Sequence, residues 1–342
     1  VVSRSARPRA AILGCAGTRL GAAERGFFAE TDPLGIILFA RNCESPAQVR
    51  ALVDEIRATF GRAHAPVLID QEGGRVARLR PPRWRAAPAA ARLGALAAKN
   101  PDRATRAVWL NARLIAAELA DLGITVDCAP VLDLALPETH EVIGDRAFGS
   151  DPELVATLGR SFCDGLLAGG VLPVVKHIPG HGRARADSHL ELPAVDAAHE
   201  TLSATDFAPF KALADQPWAM TAHIRYTALD PAKPCTISRR IISDIVRGEI
   251  GFSGVLVSDD LGMKALEGTF STRAEAALEA GCDVVLHCSG VLDEMRELMA
   301  ATPPLDDQAA FRTARAEASR RDASPFDGIT ALAELDALLQ AS

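Results

Sequence analysis

The 342-residue chain lacks the features that would assign it to several large classes of protein. It has no basic excess. Its 37 Lys and Arg stand against 44 Asp and Glu, a formal net charge of −7, which argues against the basic face a nucleic-acid partner requires. It has no run of about 18 apolar residues, so no membrane-spanning helix is predicted. The seven cysteines (Cys15, Cys43, Cys128, Cys163, Cys235, Cys282, Cys288) are odd in number and form no C-x-x-C pair. Most lie inside apolar runs and read as reduced, buried small hydrophobes of a cytoplasmic protein. Arg4, Arg7 and Arg9 precede Ile12-Leu13-Gly14-Cys15, a faint likeness to a lipoprotein cleavage site. A signal peptide needs roughly 7–15 apolar residues there, and residues 10–13 leave no room for them. No internal repeat or heptad pattern occurs, and no G-x-G-x-x-G follows the first apolar run, which disfavours a dinucleotide-binding fold.

What is present is a recurring unit. Short apolar runs at 10–15, 35–39, 66–70, 126–131, 173–177, 219–223, 254–258 and 283–287 read as strands. Amphipathic stretches at 46–60, 102–122, 152–168, 239–249 and 272–280 alternate with most of them. Ser45-Pro46 and Asp151-Pro152 are N-cap signals, and Gly123 and Gly281 suit helix C-termini. Fully apolar strands between helices imply a parallel sheet buried on both faces. Eight such units predict an α/β protein with a single (β/α)8 TIM-type barrel, residues 1–342 forming one catalytic domain. Two further helical patterns, 306–320 and 329–339, place C-terminal helices (about 303–342) outside the barrel. Residues 79–93, rich in Pro, Arg and Ala, read as a loop after the third strand.

In such barrels the site is built at the C-terminal ends of the strands. The third strand ends in Asp70-Gln71-Glu72-Gly73-Gly74-Arg75 and the fifth in Lys176-His177-Ile178-Pro179-Gly180-His181-Gly182. The sixth ends in His223, the seventh in Ser258-Asp259-Asp260 and the eighth in His287. Any one of these has a bland explanation: Asp260 suits a helix cap, and a lone histidine beside a barrel is commonly structural. Five polar strand ends converging on one face point to a site.

These motifs, with Asp187-Ser188-His189 and Ile143-Gly144-Asp145-Arg146-Ala147-Phe148, resemble glycoside hydrolase family 3, and within it the single-domain bacterial β-N-acetylglucosaminidase branch. The likeness runs from about the second strand to the eighth. It implies a retaining exo-β-N-acetylglucosaminidase that releases terminal N-acetylglucosamine, with 1,6-anhydro-N-acetylmuramic acid peptides from cell-wall recycling as the physiological aglycone. Residue by residue, it implies Asp259 as nucleophile, His189 as acid/base and Asp187 as that histidine's carboxylate partner. Asp70, Arg78, Arg146, Lys176 and His177 match sugar-binding positions. No cofactor or metal is expected, and the protein is expected to act as a monomer on a small sugar substrate, with no nucleic-acid or membrane partner.

The chemistry suits these residue types. Retaining hydrolysis needs an attacker and a proton donor on opposite sides of the scissile bond. An aspartate on a rigid strand end can attack in line, with Lys176 and Arg146 as neighbours that lower its pKa. A histidine can give and take a proton near neutral pH, and Asp187 can orient it. Three other readings stay open. His177, His181, Asp187, His189, His223 and Asp259 could ligate a metal, although no H-E-x-x-H spacing occurs. The basic Arg183 and Arg185 make phosphate an alternative acceptor, giving a phosphorylase. A non-catalytic sugar-binding protein is the third.

Overall fold

The computed structural model describes residues 7–137, 140–186, 188 and 191–340. Eight parallel strands close a barrel in chain order, each pairing with its sequence neighbours and the last with the first. They are β1 (Arg9–Leu13), β2 (Pro33–Leu38), β3 (Val67–Ile69), β4 (Val126–Asp127), β5 (Leu172–Ile178), β6 (Trp218–Thr221), β7 (Val255–Asp260) and β8 (Val284–His287). All eight apolar runs become barrel strands. Their side chains alternate between two apolar clusters, as the period of a strand requires. Ile12, Leu68, Val174, Met220, Val257 and Leu286 share one, in the barrel lumen. Their neighbours Leu13, Ile69, Val175, Ala219, Leu256 and Val285 pack outward with Leu52, Ile56 and Phe162 of the surrounding helices.

Those helices are α1 (Ala22–Thr31), α2 (Pro46–Phe60), α3 (Pro101–Asp121), α4 (Pro152–Ala168), α5 (Ile241–Glu249, wound as a π-helix), α6 (Phe270–Ala280), α7 (Leu292–Ala300), α8 (Asp307–Ser319) and α9 (Gly328–Gln340). The end signals operate as read. Ser45 Oγ accepts from Gln48 N–H at 3.3 Å and Asp151 Oδ1 from Glu153 N–H at 3.0 Å. Gly281 ends α6 at φ 116°, a conformation that disfavours a side chain. Leu305, Ala309 and Ala316 join the lumen cluster, so α8 lies across the N-terminal mouth of the barrel. α9 packs against α3, where Arg106 grips Glu334 through two hydrogen bonds of 2.7 and 2.8 Å.

Two local features depart from the sequence reading. The fourth run yields a strand of only two residues, after which Ala129 N–H turns back to Asp127 O at 2.8 Å instead of extending the ladder. The chain still tracks β5, with Leu132 N–H donating to Lys176 O at 2.7 Å. The loop at 79–93 contains the start of a short helix, Ala90–Gly94. Alanine favours helix, but five residues are too few to show a period. This helix matters to the site because Gly94 packs on the backbone of Phe148, just after Arg146. A Cβ at Gly94 would run into the Phe148 carbonyl oxygen. Gly94→Ala is therefore expected to lower stability by about 1–3 kcal/mol, the usual range for overpacking, read as a lower urea midpoint at unchanged slope.

Candidate active site

The site begins where β3 ends. After Asp70 the chain turns back in a small hairpin, Gln71–Gly73 paired with Val76–Ala77. Gly73 and Gly74 make the turn at φ 98° and 56°. The buried Gln71 side chain locks the hairpin base: its Oε1 accepts from the N–H groups of Arg78 (2.8 Å) and Leu79 (3.0 Å), and its Nε2 donates to Leu79 O at 3.0 Å. Arg78 is thereby turned toward Asp70, and its Nη2 donates to Asp70 Oδ2 at 3.0 Å.

Lys176, within β5 and 2% exposed, lies beside the same carboxylate. Its Nζ donates to Asp70 Oδ1 at 2.8 Å and meets Glu72 Oε1 at 2.7 Å. Glu72 in turn receives Arg146 in a two-pronged pair, Nε and Nη2 each at 2.8 Å. The result is a chain of alternating charge, Arg78–Asp70–Lys176–Glu72–Arg146. Burial alone would drive these groups toward neutrality, but their partners outweigh it. Asp70 and Glu72 are held below the usual carboxylate range, and Lys176 and Arg146 are held above their usual values.

The next residue, His177, rests on Asp133. Its Nδ1 lies 2.6 Å from Asp133 Oδ2, and its N–H donates to Oδ1 at 3.2 Å. Burial works against ionisation of Asp133, but His177 outweighs it and keeps the carboxyl low. An ionised carboxylate can only accept, so Nδ1 carries the proton and Nε2 is left for other contacts. Asp133 also accepts His181 N–H at 2.7 Å. Burial pushes His181 down to about 4, against the pull of Asp133, so its ring is neutral near pH 7. Its Nε2 lies 3.3 Å from the hydroxyl of Ser188.

Across the mouth, β7 ends in two adjacent carboxylates with different surroundings. Asp260 is tied into the turn: Oδ1 accepts from Gly262 N–H at 2.9 Å and Cys288 N–H at 3.1 Å. Asp259 is set on its strand by its own N–H, which donates to Thr221 Oγ1 at 3.3 Å. Its Oδ1 accepts from Asp260 N–H at 2.8 Å. Thr221 Oγ1 is 2.8 Å from Thr236 Oγ1, which is 2.7 Å from His223 Nδ1.

Six of the eight residues singled out in the sequence line one cavity of about 290 Å³: Asp70, Arg78, Arg146, Lys176, His177 and Asp259. The other two, Asp187 and His189, lie outside the described residues. Lys176 and Arg146 make their ion pairs with Asp70 and Glu72 and share the cavity with Asp259. Two neighbouring expectations change. Arg183 is turned to Asp206, with Nε at 2.7 Å from a carboxylate 1% exposed. His223 has both ring nitrogens engaged, Nε2 lying 3.0 Å from Asp260 O, which removes it as a metal ligand. Among the described residues no three His, Cys, Asp or Glu side chains converge as a metal site requires.

Among the buried acids that lacked a role in the sequence reading, three touch the groups described above: Glu72, Asp133 and Asp127. Glu72 stood inside a quoted motif with nothing to distinguish it. Asp133 follows the apolar fourth run, so the strand-end rule applied to it as well. Asp127 lies inside β4, where its Oδ1 accepts from Gln71 N–H at 2.9 Å.

A closed parallel barrel with acids and guanidinium groups gathered at the C-terminal mouth is the layout of a (β/α)8-barrel enzyme. The Glycosyl hydrolase family 3 N terminal domain matches residues 17–315, and the chain belongs to that family. It is 44% identical over 282 residues to a beta-hexosaminidase of Alkalilimnicola ehrlichii, covering 81% of this chain and 80% of that one. A beta-hexosaminidase of Bordetella avium is 42% identical over 282 residues, covering 80% and 79%. Among solved structures, NagZ from Neisseria gonorrhoeae in complex with N-trifluoroacetyl-D-glucosamine superposes with a TM-score of 0.88 at 32% identity, covering 97% and 98%. A family 3 beta-N-acetylglucosaminidase from Paenibacillus gives 0.84 at 30%, covering 96% of this chain and 66% of that longer one. No described helix is long and apolar enough to cross a membrane.

Asp127 offers a test of this electrostatic picture. Burial pushes its carboxyl up to about 8, against the Gln71 hydrogen bond and Lys176. The folded protein thus keeps a proton that the unfolded chain releases above about pH 4. Stability from this group is present below that pH and is lost as the pH rises toward 8. Asp127→Asn avoids the loss, so its stability relative to the parent should climb across that window in urea titrations. A flat difference would mean that Asp127 is ionised in the fold.

Proposed function

We propose that the chain is a retaining exo-β-N-acetylglucosaminidase. The observation that carries this reading is the placement of Asp259 at a strand end in the same small cavity as Asp70, Arg78, Arg146, Lys176 and His177. The beta-hexosaminidase names of its relatives support the same activity. A cavity of this size, rooted in the barrel mouth, suits one terminal sugar and hence exo action. Arg146, Lys176 and Arg78 present N–H donors to the sugar hydroxyls and acetamido oxygen. Donors buried in this way discriminate strongly, because a substrate lacking the matching group leaves them unpaired.

In the proposed mechanism Asp259 attacks the anomeric carbon, forming a glycosyl–aspartate ester as the aglycone leaves. His189, oriented by Asp187, protonates the departing oxygen. It then takes a proton from the water that attacks the anomeric carbon and releases Asp259, so the sugar leaves with retained configuration. The substrates are fragments of cell-wall turnover, N-acetylglucosamine linked to 1,6-anhydro-N-acetylmuramic acid peptides, and the enzyme acts as a cytoplasmic monomer. The pairing of Arg183 with Asp206 favours water over phosphate as acceptor, since that guanidinium already has an anion.

In phosphate-free buffer with a chelator, the protein should release nitrophenol from 4-nitrophenyl β-N-acetylglucosaminide and leave the matching β-glucoside untouched. Adding phosphate should yield no sugar 1-phosphate. Asp259→Ala should lower kcat at least about a thousandfold. His189→Ala should slow hydrolysis of a natural disaccharide far more than that of the nitrophenyl glycoside, whose leaving group needs no proton. Equal losses on both substrates would contradict the acid/base role.

A further inference from the structure

Glu72 is 8% exposed and sits between two cations that line the sugar cavity. Its two oxygens hold the Arg146 guanidinium in a planar pair, and Oε1 also meets the Lys176 ammonium. Arg146 donates a third hydrogen bond, from Nη1 to Val142 O at 3.0 Å. Three of its five N–H bonds are therefore spent on fixing its plane, which leaves two for a ligand. Lys176 likewise spends two of its three N–H bonds, on Asp70 and Glu72. These contacts tie the arrangement of both cations to the two acids.

The hairpin carrying Glu72 also braces the loop carrying Arg146. Arg75 Nε donates to Asp145 Oδ1 at 2.7 Å, and its Nη2 donates to the carbonyl oxygens of Val142 and Ile143, each at 3.0 Å. Backbone and side chain of the Arg146 loop are thus held from one short hairpin. Arg75 is 44% exposed by side chain and grips the rim, whereas Glu72 is 7% exposed and grips the donor itself.

We infer that Glu72 is a positioning residue for sugar binding, aligning the donors of Arg146 and Lys176 before the sugar arrives. This rests on the sugar-binding reading of the cavity. Removing the carboxylate charge leaves two neighbouring buried cations with one neutral acceptor between them. The amide introduced by Glu72→Gln would also turn an N–H toward one of them. Both donors then lose their fixed direction, which weakens binding of the ring and touches the Asp259 attack less.

The test is Glu72→Gln, assayed with the nitrophenyl glycoside and by competition with free N-acetylglucosamine. KM and the inhibition constant are both expected to rise roughly tenfold to a hundredfold, the range for a charge-assisted pair, with a smaller change in kcat. In an Arg146→Ala background the same change should cost much less, because its main client is gone. Arg146→Lys keeps the charge but cannot span both carboxylate oxygens, and should reproduce the KM effect even where Glu72→Gln folds poorly. Unchanged KM in both single variants, or penalties that multiply in full in the double variant, would overturn the inference while leaving the enzymatic reading intact. A parent protein that neither hydrolyses the glycoside nor binds N-acetylglucosamine would overturn both.

Discussion

The site depends on keeping the Lys176 ammonium charged while it is almost wholly buried. Removing such a group from water costs several kcal/mol unless the surroundings compensate. Asp70 and Glu72 supply that compensation, and each is itself compensated by an arginine. The five groups form one interdependent set, three cations and two anions, in which each ion is paired with an oppositely charged neighbour. This explains why the hairpin after β3 is so tightly specified. Gln71 shapes its base, two glycines make its turn, and the acids on either side of Gln71 carry the pairing.

The two acids at the end of β7 show how position separates role on one strand. Asp260 is consumed by backbone N–H groups and closes the turn toward β8. Asp259, one residue earlier, is placed in the cavity with the cationic donors. Both acids line the cavity, at a point where the strand register shifts, and what separates them is that Asp260 Oδ1 is taken up by two backbone N–H groups. Behind them, Thr221, Thr236 and His223 form a buried hydrogen-bonded line that supports the strand from β6. In the account proposed for catalysis, this rigid backing holds the attacking carboxylate in line.

How much of this was legible in the sequence follows from the range of each interaction. The strands and caps are local patterns: apolar runs such as 173–177 and the Ser45-Pro46 start are written within a few residues. Strand-end polarity is local too, and it found Asp70, Lys176, His177 and Asp259. Glu72 and Arg146 are 74 residues apart, and nothing in either segment announces the other. Asp133 follows the fourth apolar run by two residues, but its partner His177 lies 44 residues away and nothing local pairs the two. Asp187 and His189 were named from resemblance, and their geometry lies outside the described residues. Arg183 showed the opposite error: a basic loop residue looked available for an anionic ligand, but a buried aspartate had claimed it.

The central claim is that Asp259 forms the bond to the sugar. The most direct measurement is to trap that bond with a fluorinated N-acetylglucosaminyl donor that loads the enzyme faster than water unloads it, followed by peptide mass spectrometry. The account predicts a gain of one sugar on the peptide containing Asp259, and none in the Asp259→Ala variant. A sugar carried on any other residue, or turnover that yields the inverted anomer with no adduct, would contradict it.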